Sequence, residues 1–152
     1  MKTFLASLAA LLPVVALAHD YSVNDLMVMH PVAKETTATA RSSAGYFTIT
    51  NNGDASDSLI GVEADFPRVM MHNTVVQDGV ASMRHMDAVI LEPGQTVTFE
   101  PGGFHVMFMG LSEPMTEGEE IPATLIFENA GRLDIVFKVE KIEAKDHSDH
   151  NH

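Results

Sequence analysis

From about residue 20 onward, apolar and polar positions alternate in short runs that end at turn-forming residues. The runs predict strands over Leu26–His30, Gly45–Asn51, Asp57–Val62, Val69–Gln77, Val80–Met86, Thr96–Phe99, Phe104–Met109, Ala123–Glu128 and Leu133–Lys141. Asn51-Asn52-Gly53, Asp78-Gly79, Pro93-Gly94 and Pro101-Gly102-Gly103 punctuate them. Strands spaced this regularly suggest an antiparallel sandwich or barrel rather than alternating strand–helix units. No stretch keeps a 3.6-residue apolar period long enough for a core helix. Glu113–Glu120 is polar and holds Pro114 and Gly118, so it reads as a loop. The chain is all-β by this pattern.

The two ends break it. Lys2 begins a positive segment, Phe4 to Leu17 are mostly apolar, and Ala16-Leu17-Ala18 offers a small-x-small cleavage site. That is the pattern of a secretory signal peptide over residues 1–18, too short for a membrane span. The domain would then occupy 19–141 and begin at His19, with no further stretch apolar enough to insert in a membrane. Residues 142–152 form a separate zone, Lys145-Asp146-His147-Ser148-Asp149-His150-Asn151-His152 closing it. A segment so polar buries no apolar surface and should be disordered without metal.

Export and composition narrow the function. Disulfides are permitted outside the cytoplasm, yet the chain has no cysteine. Blue-copper sites, zinc–thiolate sites and thiol–disulfide catalysis are thereby excluded. A formal net charge of −12 argues against nucleic acid and anionic membrane as partners. There are ten methionines. Most are expected as gap-fillers of the core, but Met70-Met71-His72, Met83-Arg84-His85-Met86 and His105-Val106-Met107 repeatedly set methionine beside histidine.

Asp78-Gly79 between β-forming residues signals a two-residue hairpin. That turn pairs Gln77 with Val80, Thr74 with Met83 and His72 with His85. His72 and Met83 then become diagonal neighbours on one face, roughly 7–8 Å apart, whereas a slip of one residue would separate them. His105 and Met107 share a face of another strand, with Phe104, Val106 and Phe108 turned to the core and the first pair presented outward. Two imidazoles and two thioethers are soft, neutral donors that suit Cu(I) better than zinc, calcium or magnesium. Met70, Met71, His85, Met86 and Met109 read first as packing or rim, with His85 the nearest to the metal because it opposes His72.

The chain resembles the periplasmic copper chaperone family called PCuAC. The family's signature is His, ten residues, Met, twenty-one residues, then His-x-Met. His72, Asn73 to Ser82, Met83, Arg84 to Phe104 and His105-Val106-Met107 match it without a gap. Gly45-Tyr46-Phe47-Thr48-Ile49, the run from Pro101 to Leu111, and Ala123 to Glu128 are similar to its flanking strands, and coverage runs from about Asn24 to Val139. The resemblance implies a cupredoxin-like antiparallel β-sandwich or barrel in the periplasm. It implies one Cu(I) held at an exposed edge by His72, Met83, His105 and Met107. The ion would pass to a copper-accepting protein, typically cytochrome c oxidase subunit II with its CuA centre, or an assembly factor. Some members carry a methionine directly after the first histidine; here Asn73 stands there and Met71 precedes, making Met71 and His85 the auxiliary candidates.

Other readings stay open. The tail residues His147, His150 and His152, with Asp146 and Asp149, suit Cu(II) or Zn(II). A mature amino terminus at His19, with His30, could form a copper brace for oxidative chemistry, although nothing else in the sequence pairs with it. Copper storage or tolerance would use the same four ligands as delivery. A sandwich without a metal role would make the Met/His pairs accidental.

Overall fold

The computed structural model describes residues 19–143. The expected signal peptide and the tail histidines His147, His150 and His152 lie outside the described residues. Eleven strands follow one another: β1 Tyr21–Val23, β2 Leu26–Lys34, β3 Ser42–Asn51, β4 Asp57–Ala64, β5 Arg68–Gln77, β6 Val80–His85, β7 Val89–Leu91, β8 Thr96–Phe99, β9 Phe104–Met109, β10 Glu120–Phe127 and β11 Gly131–Glu140. No helix occurs among the described residues. The order across the sheet is β6-β5-β9-β8-β3-β2-β11-β10-β4-β7, with β1 added to β2 and β9 also reaching β3.

Alternation drives these strands. Along β3 buried and partly exposed positions follow one another strictly, and Phe47, Ile49 and Asn51 all face inward. The sheet curls on itself, because rings from strands far apart in the order meet. Phe108 of β9 lies edge-on to Phe137 of β11 at 5.4 Å, and Phe47 of β3 is tilted against the same Phe137 at 5.9 Å. Each such buried ring contributes about 1.5–3 kcal/mol by leaving water. Gly45 makes room for them: a Cβ there would lie 3.0 Å from both Phe108 and Phe137. The cupredoxin-like, all-β architecture expected from the sequence is the one observed.

The structure adds details that local pattern did not carry. Two pairings are parallel, β11 with β2 and β8 with β9, so the sheet is mixed. β2 continues past His30 through a register shift between Met29 and Val32, where His30 takes φ 53°. A bulge accommodates Pro31, which has no N–H to give a ladder. β10 likewise begins before Pro122; pairing with β4 starts only at Ala123, so the missing N–H costs no bond to β4. The short strands β1 and β7 were not foreseen, being three residues each.

Candidate metal centre

The hairpin β5–β6 builds one side of the site. Asp78 and Gly79 have φ 52° and 77°, the two left-handed residues that a type I′ turn needs. The resulting register is Gln77 opposite Val80, Thr74 opposite Met83 and His72 opposite His85, as the turn chemistry predicts. On its other edge β5 pairs with β9, setting His72 opposite His105 and Met70 opposite Met107.

His72 is therefore the hub. Directly across from it lie His85 on one side and His105 on the other. Met83 and Met107 are its diagonal neighbours, a spacing long side chains readily span. All five residues occupy the same face, since opposed residues share a face and residues two apart on a strand do too. The rings of His72 and His105 are 5.7 Å apart and steeply inclined, those of His72 and His85 6.0 Å apart and nearly perpendicular.

Exposure is graded across these strands. Every residue of β6 is exposed, Met83 at 60%. His72 and Met107 are half-buried. His105 is only 4% exposed, so the expectation that β9 presents its pair outward is corrected for this residue. The cause is topological: β9 lies inside the sheet, with β5 on one side and β3 and β8 on the other.

The electrostatics single out two atoms. His105 Nδ1 pairs with the Gly103 carbonyl at 3.1 Å, which places the ring proton on Nδ1 and leaves a lone pair on Nε2. Among the described residues that Nε2 is buried without a hydrogen-bond partner, and so is Nδ1 of His72. Buried polar atoms are almost always paired; two orphaned imidazole nitrogens on adjacent strands are what an absent ligand would leave. Burial, reinforced by the neighbouring His105, His85 and Arg68, lowers the pKa of His72 from its ordinary value. The neutral, donor-ready imidazole is favoured as a result.

Among the described residues no three His, Asp or Glu side chains gather as a metal-binding group. The soft donors that share this face with the imidazoles include the thioethers of Met83 and Met107, which carry no formal charge. Met71, by contrast, lies 4% exposed in the core, on the face of β5 it shares with Val106, and is not brought to this group. Met70, read from sequence as packing or rim, stands on the site face opposite Met107; its pairing with β9 was the signal that sequence lacked. His30 lies exposed on β2, separated from β5 in the sheet by β3, β8 and β9, and neither it nor His19 joins the row.

Residues 26–139 match the family model described as LpqE-like. The chain is similar in structure to the copper-bound PCuAC domain from PmoF2, with 32% identity, 82% of this chain and 99% of that one covered, and a TM-score of 0.69. It is similar also to the apo PCuAC domain from PmoF1, at 28% identity, 82% and 100% coverage and a TM-score of 0.70. The Cu(I) form of DR1885 from Deinococcus radiodurans matches at 26% identity, 84% and 83% coverage and a TM-score of 0.62. A protein described as a lipoprotein, Lxx21020 of Leifsonia xyli subsp. xyli (strain CTCB07), is 27% identical over 99 residues. Those residues are 64% of this chain and 60% of that protein, so the match spans under two thirds of the curated relative.

Proposed function

The chain belongs to the LpqE-like family, and on that premise we propose that it is a copper chaperone of the PCuAC type, exported to the periplasm, carrying Cu(I) on His72, Met83, His105 and Met107. The observation that carries this reading is the pair of buried, unpartnered nitrogens, His72 Nδ1 and His105 Nε2, flanked on one face by two methionines. Similarity to PCuAC domains that bind copper supports it. The exported domain would comprise 19–141, freed of a leader over 1–18 and followed by the tail 142–152.

The ion is cargo, so the site has to hold and release it rather than transform it. Two thioethers favour Cu(I) over Cu(II), and four neutral donors leave the bound ion a monocation without thiolate charge to trap it. Thioethers have no proton to lose; protons compete only at the imidazoles. Release needs an open side. Met83, on the exposed strand β6, is where a donor from an acceptor can enter. The acceptor we propose is the CuA site of cytochrome c oxidase subunit II or an assembly factor for it.

X-ray absorption of the Cu(I)-loaded protein should find two sulfur and two nitrogen neighbours. Replacing both Met83 and Met107 by Ile should abolish Cu(I) retention and spare the fold; undiminished affinity would refute the assignment. Delivery is tested separately, by mixing loaded protein with an apo subunit II domain: metallation is expected, and its absence would leave storage as the role. A chain truncated after Ala144 tests the tail: Cu(II) binding is expected to fall while the Cu(I) site stays.

A further inference from the structure

His85 lies outside the four-ligand set, yet it is placed like a ligand. It stands directly opposite His72, with the rings 6.0 Å apart, and two residues from Met83 on the same face of β6. Its Nε2 is 3.0 Å from Oδ1 of Asp87. A carboxylate accepts only, so this contact puts the ring proton on Nε2 and leaves the Nδ1 lone pair free. Metal-binding histidines are commonly held by such a carboxylate bond. His105 shows the same arrangement with the Gly103 carbonyl. Among the described residues, the strand carrying His85 is an end of the sheet and pairs with β5 alone.

We propose that His85 Nδ1, together with His72 and Met83, forms an outer position for the ion, one strand closer to the sheet edge than the position shared with His105 and Met107, and that the ion leaves through it. The proposal rests on the Cu(I) reading above and concerns its exit route. A bond from His85 Nδ1 to Cu(I) forms as those from His105 Nε2 and Met107 sulfur break. His72 and Met83 remain attached throughout. The ion stays monovalent and no proton moves, because Asp87 keeps the ring hydrogen on Nε2. The shift takes copper from a buried imidazole to an edge strand that an acceptor's donors can reach. Asp87 is a positioning residue in this scheme.

The test uses the exported protein loaded anaerobically with Cu(I), bicinchoninate serving as competitor at equilibrium and as acceptor in stopped flow. His85→Ala should keep its Cu(I) affinity within about threefold while release slows about tenfold, and Asp87→Ala should slow it less. His85→Met, which restores a soft donor, should recover the rate; His85→Phe should not. An unchanged rate in His85→Ala overturns the proposal. So does an affinity loss of about a hundredfold, which would make His85 a resting ligand. Failure of His85→Met to recover the rate also overturns it, by showing a merely structural effect. Should unmodified protein fail to compete for Cu(I) at all, the underlying copper reading falls, a result distinct from each of these.

Discussion

Where β3 passes into β4, Asn51 and Asp57 are buried with their side chains well bonded, whereas on β5 and β9 His72 and His105 each keep a nitrogen buried and unpartnered. At the corner, Asn51 Nδ2 donates to the carbonyls of Ala55 and Leu91, both at 2.9 Å, and its Oδ1 accepts from Gly53 N. Asp57 accepts from the backbone N–H groups of Ser58, Asn129 and Ala130. Desolvation there is offset within the chain itself, so the corner's work is to close loops. At the imidazole row it is not offset among the described residues, which is what the proposed Cu(I) site requires. Buried polarity thus has two signatures, and satisfaction tells them apart.

The comparison breaks first at the thioethers. Met83→Ile with Met107→Ile should lower Cu(I) affinity by about a thousandfold, or about 4 kcal/mol, with the apo melting temperature nearly unchanged. Competition titration beside a thermal melt checks both halves. Asp57→Ala should do the reverse. It strips three backbone donors of their acceptor and should cost about 3 kcal/mol of stability, while the protein still folded keeps its Cu(I) affinity. Loss of affinity with no loss of stability would show the two regions to be wrongly contrasted.

His105→Leu sharpens the contrast further. The variant gives up the Nδ1 bond to Gly103, whose carbonyl still receives the Thr74 N–H at 3.1 Å, and it removes the orphaned nitrogen. The apo variant should be more stable in urea by about 1 kcal/mol and should lose tight Cu(I) binding. A destabilised apo variant would mean that the imidazole is structural.

The smallest effect concerns protons. His72 has a folded pKa below its ordinary value near 6.5, from burial first and then His105, His85 and Arg68. Between those two values the unfolded chain binds more protons than the folded one. The group's contribution to stability is therefore present above pH about 6.5 and lost as pH falls through the folded value. In the apo protein an NMR titration should show the His72 ring protonating later on acidification than a model imidazole. A ring that titrates at or above the ordinary value would contradict the desolvated environment.

Much of the site was legible because its spacings are local. Asp78-Gly79 dictates its own turn, the turn dictates register, and register puts Met83 and His85 beside His72. Met71 was harder: it is adjacent to His72 in sequence, but a strand's period of two sends it to the core. His105 was misjudged as outward because alternation shows which face a residue takes, not whether a neighbouring strand covers it. Pro31 hid the second half of β2, since a bulge tolerates what a regular ladder would not.

The chain's order of residues was enough, alone, to set the donor chemistry, the hairpin and the all-β class, all of which depend on side-chain type and near neighbours. Tertiary structure decided the pairing of β5 with β9, the parallel joins of β8 with β9 and β11 with β2, and the burial of His105 beside an exposed Met83. Those outcomes depend on how the whole sheet curls around its phenylalanines, a balance of distant contacts that no local segment encodes.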